Sequence, residues 1–376
     1  MEQSEITLFL KPKVLKPAAE EAGDITRRFA MNKVGRMVAS ATQDRAIRLY
    51  DVSNGEEIQR LQDDYLCTSI AFSPRGDIIA SGGVDRMVKL WDIRTGECVG
   101  KFEGHTYPVL SLSFSPDGSK LLSGSGDTTM IIWDVDKQEN ILQMKGHSLY
   151  IVSCEWSPVD EKIISGSIDS TIGLWDAQSG ENIQWIDEHR TAVQVVRFSI
   201  DGSLVASGSS DHDIIIWDAS GDELEKRSVL RGHSGEVRSL VFSTDKKYLV
   251  SGSGDKALFV WNLETGEVEG EGRTESEVDG IEWIHNQHGF FTSDGSGAIV
   301  RWDITELEQM MEPFEALLEE IKADTDGSRR DELIQKFEDL RSQYDPEVLR
   351  DKRVFYVLWQ CKRGLGLLKG KPRRKK

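Results

Sequence analysis

The sequence lacks the features that mark membrane, secreted and redox-active proteins. It has no run of about 18 consecutive apolar residues, so no membrane-spanning helix is expected. Its first ten residues lack a basic region followed by an apolar stretch, which argues against a secretory signal. The four cysteines, Cys67, Cys98, Cys154 and Cys361, show neither close pairing nor metal-ligand spacing, which suits packed thiols in a reducing compartment. We therefore expect a soluble cytoplasmic chain, or a nuclear one if the cell is eukaryotic.

Charge is distributed unevenly along the chain. The sequence holds 46 Lys and Arg against 64 Asp and Glu, for a net charge of -18, yet the segment from Lys362 to Lys376 contains eight basic residues and no acidic one. An acidic body repels nucleic acid unless the basic tail makes the contact. The final segment, Lys369 to Lys376, resembles a nuclear-import or nucleic-acid-contacting tail, and the alternative is a solvated, disordered end.

A short element ending in Trp-Asp or a close variant recurs seven times, at intervals of 41 to 44 residues. The copies are Leu49-Tyr50-Asp51, Leu90-Trp91-Asp92, Ile132-Trp133-Asp134, Leu174-Trp175-Asp176, Ile216-Trp217-Asp218, Val260-Trp261-Asn262 and Arg301-Trp302-Asp303. Helical solenoids also repeat at about 40 residues, so the pattern inside each repeat must decide the architecture.

Inside a repeat, the pattern indicates short strands. From Val109 to Phe114, apolar residues alternate with serines, as a half-buried strand requires. The run Ser115-Pro116-Asp117-Gly118 has the residues of a tight turn. Residues 120–125 and 130–133 form the next two short strands, and a further turn follows the Trp-Asp element. Each repeat therefore supplies four antiparallel strands.

Four-stranded sheets of this kind bury both faces when they stack in a ring, which also protects their edges. The repeat resembles that of the WD-repeat family, whose period, Gly-His start and Trp-Asp end occur here over about residues 5–304. The resemblance implies an all-β, seven-bladed β-propeller. The last repeat has no fourth strand, and we expect Glu5 to Leu10 to supply it, as WD-repeat proteins typically close in this way. A disordered leader is the alternative.

Four repeats carry a His, a Ser, an Asp and a Trp at fixed offsets, which resemble catalytic triads. The sets are His105, Ser123, Asp127 and Trp133; His147, Ser165, Asp169 and Trp175; His189, Ser207, Asp211 and Trp217; and His233, Ser251, Asp255 and Trp261. The family resemblance implies structural hydrogen-bond networks instead. The serines lack a Gly-x-Ser-x-Gly elbow, and the histidines follow the blade spacing rather than the spacing of metal ligands. We therefore expect no catalytic residue, no metal and no cofactor.

Three repeats depart from this pattern, and we expect their blades to be the least tightly locked. The departures are Ala22 and Tyr50 in blade 1, Asp63 in blade 2, and Thr274, Thr292 and Ser296 in blade 7.

Antiparallel order places the loops that enter each first strand, and the loops between second and third strands, on one face of the disc. The WD-repeat family commonly binds peptides and domains on this face. Candidate partner-binding residues here are Asp64, Tyr65, Tyr107, Tyr150, Arg190, His212 and Glu236. Tyr and Arg are typical interface anchors, although scattered surface residues are usually only solvated.

After Ile304 the pattern becomes helical. Thr305 and Glu308 form a capping box, a second helix is expected from about Ser328 to Tyr344, and a third begins at Asp345-Pro346. Pro313 is expected to kink or restart the first helix. We expect a propeller over residues 1–304, about three helices over 305–363 and a disordered basic tail over 364–376. The helices either pack within the chain or bind a partner.

These observations favour a non-catalytic scaffold or a subunit of a multiprotein complex, which binds other proteins on the loop face and through the C-terminal helices. The alternative is a subunit of an RNA- or chromatin-associated complex that uses the basic tail. An enzyme would need convergent acid, base or metal residues at the central channel, and the sequence identifies no such set. The oligomeric state stays open.

Overall fold

The computed structural model describes residues 8–16, 26–32, 35–284, 289–324, 329–342, 357–358, 360–362 and 365. In this part of the chain, nearly all regular structure before residue 307 is β-strand, and helices follow. The strands form seven separate four-stranded sheets, each of which is one blade. The predicted all-β propeller with a helical extension is confirmed.

Six blades are built from strands that are consecutive in sequence and pair in that order. Blade 1 contains β2 (Thr26–Met31), β3 (Met37–Thr42), β4 (Ala46–Asp51) and β5 (Glu57–Gln62), and blade 2 contains β6 (Cys67–Phe72), β7 (Ile78–Gly83), β8 (Val88–Asp92) and β9 (Cys98–Phe102). Blade 3 contains β10 (Val109–Phe114), β11 (Lys120–Ser125), β12 (Thr129–Asp134) and β13 (Glu139–Lys145).

The next three blades follow the same plan. Blade 4 contains β14 (Ile151–Trp156), β15 (Lys162–Ser167), β16 (Ile172–Asp176) and β17 (Asn182–Ile186). Blade 5 contains β18 (Val193–Phe198), β19 (Leu204–Ser209), β20 (Asp213–Asp218) and β21 (Glu225–Arg231), and blade 6 contains β22 (Val237–Phe242), β23 (Tyr248–Ser253), β24 (Ala257–Asn262) and β25 (Val268–Arg273).

Blade 7 combines the two ends of the propeller sequence. It contains β26 (Val278–Trp283), β27 (Gly289–Asp294) and β28 (Ile299–Glu306), and its outermost strand is β1 (Leu8–Lys16), which pairs with β28. The predicted closure by an N-terminal strand is confirmed, but the strand continues to residue 16 rather than ending at residue 10. Pro12 does not end it, because an outermost strand leaves one edge unpaired and tolerates a missing N–H. Residues 5–7 of the predicted strand lie outside the described residues.

The first strands of the blades form the inner wall of the ring. Contacts run from β2 to β6, β10, β14, β18, β22 and β26, and then from β26 back to β2. The ring is therefore closed with seven blades, which excludes a helical solenoid and an open arc.

Apolar side chains fill the seams between neighbouring blades. At the seam between blades 7 and 1, for example, Val38 and Tyr50 pack with Phe291 and Ile299. The middle strands are covered on both faces, so residues such as Leu121 and Leu122 are both fully buried. This two-sided burial explains why the middle strands are nearly continuous apolar runs rather than alternating ones.

The turn predicted after β10 is present and shows why it needs glycine. Gly118 has a φ of 77°, in the left-handed region, and its N–H donates to the carbonyl oxygen of Ser115 at 2.9 Å. The Ser115 hydroxyl contacts Asp117 at 2.7 Å and Lys120 at 2.9 Å, which fixes the turn from inside.

The helical unit contains α1 (Leu307–Ala323) and α2 (Arg330–Ser342), and short helical stretches at 357–358 and 360–362. Thr305 lies in β28, so the expected capping box does not start α1. Pro313 lies within α1 without ending it, because burial of the apolar face that follows it outweighs one lost hydrogen bond. The predicted start of a third helix at Asp345-Pro346 and the basic segment Lys369 to Lys376 lie outside the described residues.

The helical unit has an apolar core of its own. It consists of Phe314, Leu317, Leu318, Ile321, Leu333, Phe337, Val357, Leu358, Cys361 and Leu365. The amphipathic faces of the described helices therefore cover one another. Neither described helix has the length and apolar content needed to cross a bilayer.

Candidate functional site

Each predicted set of His, Ser, Asp and Trp comes together in its blade as a polar quartet. In blade 3, the Trp133 Nε1–H donates to Ser123 Oγ at 2.8 Å, and Ser123 Oγ lies 2.7 Å from His105 Nε2. His105 Nδ1 lies 2.9 Å from a carboxylate oxygen of Asp127. The quartets of blades 4, 5 and 6 repeat this arrangement, with Nδ1 to carboxylate distances between 3.0 and 3.4 Å.

Burial and hydrogen bonding together set the protonation states. In blade 4, burial lowers the pKa of His147, and this effect outweighs the attraction of Asp169. Burial opposes the charged form of Asp169, but hydrogen bonds from Thr171 and Ser148 outweigh it and lower the pKa of Asp169 to about 2. A neutral imidazole beside a carboxylate donates from Nδ1 and accepts the serine proton at Nε2.

Each quartet joins three segments of its blade. Asp127 also accepts hydrogen bonds from the Thr106 backbone N–H at 2.8 Å and from the Thr129 hydroxyl at 2.7 Å. It therefore ties the loop that enters β10 to the loop between β11 and β12, while Trp133 adds the third strand. The order of groups matches a Ser-His-Asp triad, but Ser123 is 0% exposed and its oxygen already receives the indole N–H. The hydroxyl has no room for a substrate.

Blade 2 replaces the quartet histidine with a buried ion cluster, which sequence reasoning missed. Lys89 Nζ lies 2.5 Å from Asp63 and 2.7 Å from Asp85, and all three side chains are less than a tenth exposed. Burial disfavours the charged lysine, but the two carboxylates outweigh it and raise the pKa of Lys89. The Trp91 Nε1–H still donates to Ser81 Oγ at 2.8 Å. The signal in the sequence was a lysine within a middle strand that is otherwise apolar.

Blades 1 and 7 also have substitute contacts. In blade 1, Asp44 occupies the aspartate position and binds Arg48 and Arg60, each at 2.7 Å. In blade 7, the Trp302 Nε1–H donates to Thr292 Oγ1 at 2.8 Å. Ala22 lies outside the described residues. That these three blades open first stays a prediction.

The loop face has an apolar sector over blades 2 to 4, which we call the tyrosine patch: Tyr65, Tyr107, Leu149 and Tyr150. The three tyrosines are 52%, 53% and 46% exposed. The rings of Tyr107 and Tyr150 lie 6.1 Å apart, between centroids, so they form one surface. Lys89 Nζ lies 5.6 Å from the ring centroid of Tyr65, at the far end of the patch.

The other candidate residues are polar and lie in the loops that enter β6 and β18 or join β19 to β20. Asp64 is exposed, and its carbonyl oxygen accepts a hydrogen bond from Arg45. Arg190 is exposed and lies 3.4 Å from Asp213. His212 is exposed and has a φ of 73°, in the loop between β19 and β20. These side chains make no common site.

Glu236 belongs to a charged cluster that sequence reasoning missed, which we call the acidic mouth: Glu236, Arg238, Glu277 and Asp279. Arg238 Nε lies 2.7 Å from Glu236, one guanidinium nitrogen is 3.4 Å from Asp279, and the guanidinium also contacts Glu277. The acidic mouth holds three carboxylates against one guanidinium. Within the described ranges, no group of three or more His, Cys, Asp or Glu is placed to hold a metal ion.

Comparison with known families agrees with this geometry. The family model "WD domain, G-beta repeat" matches residues 55–92, 96–134, 138–176, 180–218 and 224–262, which is just over half of the chain. Each matched segment spans the outermost strand of one blade and the first three strands of the next, so consecutive repeats bind neighbouring blades together. A search of curated proteins gives no match. The repeats, the closed ring and the matching family model together show that this chain belongs to the WD-repeat family of β-propellers.

Proposed function

We propose that this chain is a non-catalytic scaffold that binds other proteins on the loop face of its propeller. The tyrosine patch is the observation that supports this most. Large exposed aromatic side chains provide contact area with few rotatable bonds, which makes them effective interface anchors. WD-repeat propellers generally act as interaction platforms, and this patch is a specific candidate for the anchor.

The loops that carry the patch are held rigidly, which lowers the entropic cost of binding. The Ser125 hydroxyl contacts the carbonyl oxygen of Tyr107 at 3.0 Å, and the Ile168 N–H donates to the carbonyl oxygen of Tyr150 at 2.9 Å. The quartets of blades 3 and 4 fix the same two loops through Thr106 and Ser148. The blade network therefore presents the aromatic rings in a defined arrangement.

The described helices bury their apolar faces against one another, so we place the docking surface on the propeller loops. Asp64, Arg190, His212 and Glu236 would form a polar rim around the anchor. The four cysteines, all among the described residues, form no disulfide, which suits a cytoplasmic location.

Quantitative affinity purification from native extract, followed by mass spectrometry, tests this proposal. The test variant is Tyr107→Ala with Tyr150→Ala. The control is Ile58→Ala with Val99→Ala, which removes two similarly exposed apolar side chains from outermost strands, away from the loop face. We expect the control to retain the partners of the wild-type chain and the test variant to lose them. Partners retained equally by both variants, or no specific partner of the wild type, would contradict the proposal.

A further inference from the structure

The seven first strands enclose a central channel with a cavity volume of about 690 Å³. The fifth residue of each first strand lines this channel, so these seven side chains share one level. Four of them are uncharged: Ala30, Ala71, Ser113 and Val241. The other three, Glu155, Arg197 and Glu282, come from blades 4, 5 and 7.

These three charges do not neutralise one another through direct contact. All three belong to the described part of the chain, and there Arg197 acts on both glutamates only through longer-range electrostatic attraction, without a hydrogen bond to either. Glu155 accepts a hydrogen bond from the Phe198 N–H at 2.6 Å, and Arg197 donates to the carbonyl oxygen of Val196 at 3.1 Å. Glu282 has no hydrogen-bond or ion-pair partner among the described residues. Glu282 is half-buried. A carboxylate that is partly withdrawn from water without a partner is costly, and a bound cation would relieve that cost.

The entrance of the channel, through which a ligand would reach Glu155 and Glu282, also favours a positive charge. The acidic mouth borders the channel through Glu236, Arg238 and Asp279, and its excess of carboxylates attracts cations. Asp279 and Glu282 are three positions apart along β26, which corresponds to roughly 10 Å at the rise of a β-strand. The charge of the ligand must therefore sit at the end of an extended arm. Leu110 and Val152 also line the channel and can pack against the apolar part of such an arm.

We propose that the channel receives one arginine side chain of a partner segment, whose guanidinium binds between Glu155 and Glu282. A planar guanidinium can donate to two carboxylates at once, which a compact ammonium does less well. This inference rests on the proposed function, because the tyrosine patch would hold apolar residues of the same segment. Because Arg197 contributes one positive charge against the two carboxylates, the site can balance only one further positive charge.

Two pentapeptide pools provide the test. Both have apolar residues in the four outer positions, and the central residue is arginine in one pool and citrulline, its uncharged isostere, in the other. Binding to the full chain is measured by affinity selection and mass spectrometry. We expect the arginine pool to be enriched about tenfold or more over the citrulline pool, as loss of a charge-assisted contact predicts. The double variant Glu155→Gln and Glu282→Gln should remove this preference.

Glu161→Gln is the control, because it removes an exposed carboxylate that does not line the channel. It should keep the arginine preference. Equal binding of the two pools to the wild type, or binding of neither, would overturn the inference. The variant Tyr107→Ala with Tyr150→Ala separates the two proposals. It should lower the binding of both pools by the same factor and keep the preference for arginine. If it binds both pools as the wild type does and keeps the preference for arginine, the anchor role of the tyrosine patch fails, while binding of the arginine side chain in the channel is retained.

The dependence on pH gives a second readout. Burial raises the pKa of Glu282 to about 7, Arg197 opposes this rise, and Glu155 adds to it. The other charged groups along the channel are Glu236, Arg238 and Asp279. A bound guanidinium ionises Glu282, so the preference for arginine should grow from pH 6 to pH 8, by at most about tenfold per pH unit for one released proton. Glu282→Gln should flatten this dependence, and a wild-type preference that does not change with pH would contradict the role of Glu282.

Discussion

Replacing the serine of one quartet measures what the polar network contributes to the fold. Ser123→Ala in blade 3 removes the oxygen that receives the Trp133 N–H and the hydroxyl that bonds His105. Both partners are buried, and each orphaned group costs about 1–3 kcal/mol. We therefore expect the variant to lose about 2–6 kcal/mol of unfolding free energy.

Blade 2 offers an internal comparison for the same change. Ser81 receives only the Trp91 N–H, since Lys89 and its two aspartates replace the histidine. Ser81→Ala should therefore cost about 1–3 kcal/mol, close to half of the loss in blade 3. Ser119→Ala, at an exposed turn hydroxyl, should cost much less than either.

Urea unfolding, followed by both tryptophan fluorescence and circular dichroism, gives these free energies where the two transitions coincide. Equal losses for Ser123→Ala and Ser81→Ala would show that the serine–histidine contact contributes nothing. A loss for Ser123→Ala no greater than that for Ser119→Ala would refute the bracing role altogether.

Three further predictions concern buried charge. The pKa of Glu282 rises from 4.5 to about 7 on folding, so the destabilisation by this carboxyl grows as pH rises from about 4.5 to 7 and is complete above 7. Glu282→Gln should therefore add about 1–3 kcal/mol of unfolding free energy at pH 8 and little at pH 4.5. Burial lowers the pKa of the quartet histidines of blades 4 to 6. In the Glu282→Gln variant, the unfolding free energy should therefore fall as pH drops below about 6.5, because the unfolded chain then binds protons that the folded chain does not. An unfolding free energy that stays constant between pH 7 and 5 would mean that these imidazoles are charged in the fold. Lys89→Met leaves Asp63 and Asp85 buried without a cation and should lower the unfolding free energy by about 3–5 kcal/mol, as measured by urea unfolding. Adding Asp63→His restores the histidine found at this position in blade 3 and should recover part of the loss. No recovery would contradict the equivalence of the ion cluster in blade 2 and the quartet in blade 3.

The architecture of the propeller could be predicted from the sequence because each repeat carries its own pattern. The spacing of the Trp-Asp elements, the alternation from Val109 to Phe114 and the turn at Gly118 all specify local structure, and seven copies specify the ring. The bounds of the closing strand could not be predicted, since Pro12 suggests an end that an edge strand does not require. The start of α1 also differed, because pairing in β28 continues through Thr305.

The sites were predictable only where residues recur at fixed offsets. The quartets recur, so their members could be named from the sequence alone. Lys89 could not be assigned, because its partners become evident only when Asp63 is read as a replacement for histidine. The channel charges come from three blades, and Glu155 and Glu282 face the same channel only because the blades are arranged in a ring. A signal was present, since Glu155, Arg197 and Glu282 each precede the final aromatic residue of a first strand.

Hydrogen–deuterium exchange of the chain, alone and with a partner recovered by purification, tests whether proteins dock on the loop face of the closed propeller. We predict slower exchange in the loops that enter β10 and β14, residues 103–108 and 146–150, with little change in the outermost strands. Protection confined to the outermost strands or to the turns of the opposite face would contradict it.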